Sequence, residues 1–340
     1  MSVEPRAYVT YFDQRYLARA VVMLRSLRRH DAQAEIFTLC FDQIAYEVTQ
    51  GLGDLNIAVL SPDAINEFEP GLAECKDRAR WAFYATHKPV LPLYVLARRP
   101  HLASIAHIDS DAYFFSTPAP LFDEIGAASI AISPHRFIKR FEHQKVFGLF
   151  NAGFIHWRND ALGLRCLADY RADCLRWCEP RFESDGRFMN QGYLTLWPQR
   201  YPGVHVITHP GVNLASWNVA GHSLARDRDL VTVDGVPLVF YHFTNLMLDS
   251  LGIWRTVNRE FEDNLKLVLE AIYRPYLEEV EQNDRWLRRR GLKPLPLEKP
   301  WKIGDAAPVR RGPWPRSPRD WFRRARWLID PAKRTERAEV

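Results

Sequence analysis

Through most of its length the chain repeats one alternation: an apolar run of strand length, then a segment with apolar residues at helical spacing. Ala7–Phe12 (AYVTYF) reads as a buried strand, and Leu17, Val21, Leu24 and Leu27 behind it share one helix face. Residues 36–41 (IFTLCF) and 57–60 give the next strands, and 104–108 (SIAHI) gives a short one ending at Asp109. Residues 130–133, 150–157, 204–207 and 238–243 supply the later ones. Asp160 is placed to cap a helix ending near Cys178, and residues 75–96 have a helical pattern that Pro89 and Pro92 are expected to break. This order predicts an α/β fold with a mostly parallel sheet covered by helices on both faces. From Trp254 to Arg290 the chain reads as helical and charged, with a kink at Pro275, and after Gly291 prolines become frequent. The expected division is an α/β domain over 1–250, a helical extension over 251–290 and a basic, Trp- and Arg-rich tail over 291–340.

Of the 340 residues 47% are apolar and 26% charged, which suits a packed core. No run of 18 apolar residues exists, so no membrane span is expected. Met1 to Arg6 carry no apolar signal core, and a cytoplasmic chain is expected. Five scattered cysteines (Cys40, Cys75, Cys166, Cys174, Cys178) read as buried thiols, since no His or Cys pair stands at zinc-ligand spacing near the last three. Charge is unevenly spread. Residues 285–340 hold 17 Lys and Arg against 6 Asp and Glu, which leaves the rest at −6 within the total of +5. Such a tail suits an anionic surface, of lipid or nucleic acid, and also suits simple solvation.

In a sheet of this type ligands bind beyond the carboxyl ends of the strands. Asp109-Ser110-Asp111 stands there, following an apolar strand and preceding Ala112-Tyr113-Phe114. Carboxylates at alternate positions lie on one side of an extended segment, where they suit Mg²⁺ or Mn²⁺ with a diphosphate in its open positions. Chance alone gives about one such spacing per chain of this length, so its place after a strand carries the argument. His242, ending Val239-Phe240-Tyr241-His242, is either a structural histidine or a third ligand beside Asp111. Asn151-Ala152-Gly153 lets backbone approach a ligand closely, and it is equally what an ordinary bulge requires. Asn190-Gln191 offers donors and acceptors to sugar hydroxyls, or simply starts a surface helix. The loop from His209 to Asn218 combines Asn213, Asn218 and Trp217, as saccharide sites do and as a loop anchored by a buried Trp also does. Lys88 is a cation for a phosphate or a solvated lysine.

In this order the motifs resemble retaining glycosyltransferases of the GT-A fold, family 8 and related bacterial transferases of polysaccharide and lipopolysaccharide clusters, over roughly residues 7 to 245. The resemblance implies a GT-A sheet and metal-dependent transfer from a nucleotide-sugar, a UDP-sugar by preference, to a saccharide or lipid-linked saccharide, with retention. It implies that Thr10 and Tyr11 border the base and that Lys88 lies near the phosphates. Asp109 would bind ribose and metal, with Ser110 in the donor-binding set, and Asp111 and His242 would complete the Mn²⁺ or Mg²⁺ site. Asn151 would contact the donor sugar, and Gln191, with Asn190 and Asp109, would stand at the reacting centre. Relatives of this type carry Asp-Gln where this chain has Asn190-Gln191, and an Asn can serve as neither base nor carboxylate nucleophile.

A sugar-nucleotide pyrophosphorylase needs a glycine-rich loop after its first strand, and Tyr11-Phe12-Asp13-Gln14-Arg15 contains no glycine. The basic tail leaves open a nucleic-acid- or membrane-binding protein. No nucleic-acid module is present, so no nucleic acid is expected, whereas arginines with Trp321 and Trp327 suit peripheral contact with the inner face of an anionic membrane.

Overall fold

The strands expected from apolar runs, apart from the last at 238–243, form one sheet whose central members have no wet face. The computed structural model describes residues 5–183, 185–244, 246–248, 254–256, 265–292 and 307–309. In chain order the elements are β1 (Ala7–Phe12), α1 (Leu17–His30), β2 (Glu35–Cys40), α2 (Gln43–Gln50), β3 (Ile57–Leu60), α3 (Pro62–Phe68), α4 (Arg80–Arg98), β4 (Ser104–Ile108) and β5 (Ala112–Phe114). They continue with α5 (Ala119–Ile125), β6 (Ile130–Pro134), β7 (Phe150–Arg158), α6 (Ala161–Arg176), α7 (Trp197–Arg200), β8 (Val204–Val206) and β9 (Leu214–Ala215). A small meander, β10 (Leu224–Asp227), β11 (Leu230–Val233) and β12 (Val236–Pro237), precedes β13 (Phe240–His242).

The main sheet has the order β3-β2-β1-β4-β7-β6-β8. Its pairs are parallel except those made by β7, which runs antiparallel to β4 and to β6. The sheet is therefore mostly parallel, as expected, with one reversed strand, β7, fifth in the order of seven. Core packs against both faces. Val9, Ile105, Ile155 and Trp157 join α4 and α6 on one side, and Tyr8, Ala106 and Phe154 join α1 on the other. The alternation within each strand follows from successive side chains pointing to opposite faces.

Local chemistry sets the helix ends. Asp42 caps α2 by accepting from Ala45 N–H (2.8 Å), and Asp160 caps α6 by accepting from Gly163 N–H (2.8 Å). The break expected at Pro89 and Pro92 does not occur: α4 runs through both. Each proline lacks the N–H that would bond the carbonyl four residues earlier. Burial of Val90, Leu91, Tyr94, Val95 and Leu96 outweighs those two missing bonds.

The contacts divide the chain into two units. The first holds residues 1–244 and 260–295, so the helical segment near residue 280 packs within the same body as the sheet. That segment comprises α8 (Leu265–Leu267), a π-helical stretch (Val268–Tyr273) and α9 (Arg274–Arg289), which follow one another without a break, with Pro275 just after the π-helical stretch. Arg25 donates to Asn283 (2.6 Å), and Tyr113 and Arg29 both donate to Glu279 (2.8 and 3.0 Å), tying α9 to α1 and β5. The described parts of the second unit are an antiparallel sheet of β14 (Met247–Leu248), β15 (Trp254–Thr256) and β16 (Ala307–Val309). The helical reading from Trp254 is thus corrected at its start: residues 254–256 pair as a strand, and the described helix covers Leu265 to Arg289. Trp321 and Trp327, with the arginines around them, lie outside the described residues. Among the described residues no helix is long and apolar enough to cross a membrane.

All five cysteines are buried free thiols, as expected. Burial pushes the Cys40 and Cys166 thiols up to about 12.

Candidate active site

The site grows out of the end of β4. After Ile108 the chain turns sharply, with Ala112 N–H donating to Asp109 C=O (3.1 Å), and leaves the main sheet as β5. Ser110 and Asp111 are buried in that turn, and Asp109 is half-buried. β5 then pairs antiparallel with β13, Ala112 opposite His242, and Phe243 N–H donates to Asp111 C=O (2.9 Å). This small second sheet closes the gap of 131 positions between Asp111 and His242.

Asp109, Asp111 and His242 each offer a ligand atom within 4.8 Å of the others, and among the described residues no other such group of His, Cys, Asp or Glu occurs. His242 Nε2 stands 3.1 Å from Asp111 Oδ1 and 3.8 Å from Asp109 Oδ2. The second carboxylate oxygen of Asp109 is already used: Oδ1 accepts from Lys88 Nζ (2.7 Å) and contacts His107 Nε2 (2.9 Å). That leaves Oδ2 for a ligand. Neighbouring ligands of an octahedral ion with bonds near 2.1 Å stand about 3.0 Å apart. Two carboxylates and one imidazole at these separations fit Mg²⁺ or Mn²⁺ with a small contraction.

The electrostatics agree with that fit. Burial pushes the Asp109 carboxyl up, but Lys88 and then His107 override it and hold the group well below the usual carboxylate range. Burial lowers His242, yet the two carboxylates more than reverse this and raise it above its ordinary value. A cation at Nε2 is therefore favoured, whether proton or metal. His107, by contrast, is pushed down to about 4 by burial and by Lys88, and is neutral at pH 7.

Lys88 comes from the middle of α4 and is itself buried, donating also to Ala152 C=O (2.8 Å). In this state it neutralises Asp109 from behind. Tyr11, at the end of β1, packs its ring against Phe41 and His107 at 5.6 and 5.3 Å, with the Lys88 ammonium 5.9 Å from the ring centre. Thr10 is buried beside it with a hydroxyl that finds no partner among the described residues.

Beyond the carboxylates lies a neutral network. Asn151 Nδ2 donates to Gln191 Oε1 (3.2 Å), Asn213 Nδ2 donates to Asn151 Oδ1 (3.2 Å), and Asn213 Oδ1 meets His242 Nδ1 (3.1 Å). Gln191 Oε1 also accepts from Ala152 N–H (3.1 Å), while Gln191 Nε2 donates to Phe147 C=O (2.9 Å). Asn190 is buried next to it, and its Nδ2 has no partner among the described residues. The structure thus brings Asp109, Asp111, His242, Lys88, Asn151 and Gln191 into one connected cluster. Gly153 sits at its centre: an added Cβ would lie 2.5 Å from Asn151 Oδ1 and 2.6 Å from the His242 ring. Only glycine fits there.

Three contributors went unassigned in the sequence. His107 stands two residues before Asp109 on the same strand, so the period of two could have paired them. Asn213 stood in a loop read as a saccharide site or as a loop anchored by a buried Trp, with no link to the metal ligands. His135, buried and with its Nε2 facing Asn151 Nδ2 (3.3 Å), gave no signal beyond following a strand.

No family model matches the chain. The uncharacterised protein YfnF of Bacillus subtilis (strain 168) is 31% identical over 286 residues, covering 82% of this chain and 93% of YfnF. The chain belongs to the YfnF family. YfnD of the same organism is 28% identical over 287 residues, covering 82% of this chain and 89% of YfnD. Among solved structures, the galactosyltransferase LgtC in complex with donor and acceptor sugar analogs is 16% identical. The match has a TM-score of 0.50 and covers 78% of this chain and 96% of LgtC. The fold of this YfnF relative is the GT-A fold expected from its motifs.

Proposed function

We propose that this protein is a metal-dependent glycosyltransferase that takes a sugar from a nucleoside diphosphate, a uridine diphosphate by preference, and passes it to a saccharide with retention. The observation that carries the reading is the convergence of Asp109, Asp111 and His242 beyond the carboxyl end of a central strand in a GT-A fold. Asp109 Oδ2, Asp111 Oδ1 and His242 Nε2 would hold Mn²⁺ or Mg²⁺. When bound, the ion supplies Lewis-acid stabilisation to the departing diphosphate. Lys88 keeps Asp109 ionised, and Thr10, Tyr11 and Ser110 would border the nucleoside. Asn151 and Gln191 would border the sugar. Gln191 Oε1 already accepts two hydrogen bonds, so in this state it orients rather than attacks. Asn190 cannot ionise. With neither residue set up as a nucleophile, attack from the leaving-group face accords better with retention than double displacement does.

The acceptor side has its own character. Four large apolar side chains are exposed near Gln191 in the chain or through Phe147, its hydrogen-bond partner: Val146 and Leu149 on either side of Phe147–Gly148, Phe182 in the loop before Gln191, and Leu196 at the end of the turn that Gln191 begins. Phe182 stacks on Phe188 (4.8 Å), and Phe147 closes the group at 5.1 and 5.0 Å from the two rings. Such a rim suits sugar faces or the apolar part of a lipid-linked saccharide. The basic residues of 285–340 would favour an anionic inner-membrane surface, each contributing on the order of 1 kcal/mol. Turnover of purified protein against a panel of nucleotide-sugars, with and without Mn²⁺, tests the reaction. Mn²⁺-dependent release of nucleoside diphosphate from at least one donor is expected, and no release from any would defeat it. Deleting residues 310–340 should abolish sedimentation with anionic liposomes. Equal pelleting by the truncated protein would remove the membrane role.

A further inference from the structure

Backbone groups fix amide orientations that would otherwise be ambiguous. Gly153 N–H can only donate, and it donates to Asn151 Oδ1 (2.8 Å). Ala152 N–H likewise marks Gln191 Oε1 as an acceptor, and Phe147 C=O marks Nε2 as a donor. With Asn151 Oδ1 assigned, the neighbouring atom of Asn213 must be Nδ2, which leaves Asn213 Oδ1 facing His242 Nδ1 at 3.1 Å. An amide oxygen only accepts, so Nδ1 carries a proton. The lone pair of a neutral His242 is then on Nε2, the atom that faces both carboxylates.

Asn213 is built for this position. It is fully buried and holds a left-handed backbone conformation (φ +56°), which Asn tolerates better than most residues. Asn218 Nδ2 donates to its carbonyl (3.3 Å), and the edge of Trp217 lies against the His242 ring at 5.5 Å. We propose that Asn213 is a positioning residue: its side-chain oxygen locks His242 into the tautomer and ring angle that present Nε2 as a ligand, and Asn151 with Gly153 N–H locks Asn213 in turn. The inference rests on the metal reading above and adds a connection to it. One continuous chain of hydrogen bonds runs from Gln191, beside the sugar, to the ligand His242. Partners of this kind on the far nitrogen of a ligating histidine typically change metal affinity about 10- to 100-fold.

Two substitutions separate orientation from packing. Asn213→Gly removes the oxygen without penalising the left-handed backbone. Asn213→Asp keeps an accepting oxygen at His242 while losing the donor to Asn151. Mn²⁺ binding by the full chain, followed by electron paramagnetic resonance without nucleotide, should weaken about 10- to 100-fold in Asn213→Gly and stay within about 3-fold of wild type in Asn213→Asp. Wild-type affinity in Asn213→Gly, or equal losses in both variants, would overturn the proposal. Histidine ¹⁵N resonances of the metal-free protein, at a pH where His242 is neutral, should place the proton on Nδ1. Should the wild type bind no Mn²⁺ yet keep that tautomer, the metal reading fails and the positioning claim stands. A wild-type proton on Nε2 overturns the positioning claim whatever the metal does, and this arm does not depend on either variant folding.

Discussion

The two halves of the site that meet at Gly153 solve opposite problems. On one side, Lys88, Asp109, Asp111 and His242 crowd four ionisable groups into a buried pocket. On the other, Asn151, Asn213 and Gln191 form a chain of amides with no ionised member. The two histidines that touch the amides differ in the same way. His135, in the amide half, is pushed down to about 3 by burial, whereas the carboxylates raise His242. The charged half can receive charge, because a cation relieves the repulsion of two carboxylates at low cost. The amide half can only fix direction. Under the proposed function the first half would grip a charged diphosphate and the second would aim a neutral sugar.

The comparison can be broken most forcefully from the charged half. Asp111→Ala should weaken Mn²⁺ binding by more than about 100-fold, since a monodentate carboxylate ligand is lost outright. Calorimetric titration reads this, and wild-type affinity in the variant would dismantle the triad. At the boundary, Gly153→Ala should cost about 1–3 kcal/mol in urea unfolding, because its Cβ must displace Asn151 and the His242 ring. It should also lower Mn²⁺ affinity, and a variant of normal stability and affinity would show that the two halves are not in contact there.

The histidines sharpen the contrast through pH. The folded value of His135, about 3, lies below its ordinary 6.5, so its contribution is present above 6.5 and is lost as pH falls towards 3. His242 is raised, so its contribution is present below 6.5 and is lost as pH rises through its folded value. Replacing His135 by Asn should therefore flatten the stability profile between pH 6 and 4 by up to about 1.4 kcal/mol per pH unit. Replacing His242 by Gln should alter metal-free stability on the other side of 6.5. Profiles that change in the same window for both variants would erase the distinction. The smallest effect is expected at the far end of the amide chain. Gln191→Ala should slow turnover about 10-fold, about 1.4 kcal/mol, with nucleoside diphosphate affinity within about 2-fold. Lost nucleotide affinity would move Gln191 to the phosphate side.

Much of this was legible in the sequence, for physical reasons that also explain the gaps. Strands such as Ala7–Phe12 and Ser104–Ile108 were visible because sheets buried on both faces need unbroken apolar runs. Asp109 and Asp111 stood out because a strand end is where such a sheet opens to ligand. The pairing of His242 with Asp111 needed only that both flank strands, which β5 and β13 supply. The continuity of α4 through Pro89 and Pro92 was hidden because propensity records the lost N–H and not the burial that outweighs it. The reversed strand β7 was hidden because an antiparallel strand inside a parallel sheet carries the same apolar run as its neighbours. Asn213 was hidden because its role depends on which way three amides face, and only backbone partners from other segments decide that.

The central claim is that the charged half exists to hold a divalent ion for a nucleoside diphosphate. Calorimetric titration of the full chain with a panel of nucleoside diphosphates, in Mn²⁺ and again in chelator, tests it most directly. The account predicts at least one diphosphate that binds at least about 10-fold more tightly with Mn²⁺ present, a gain of about 1.4 kcal/mol, and that this gain disappears in Asp111→Ala. Equal binding in Mn²⁺ and in chelator, or no binding of any diphosphate, would contradict it.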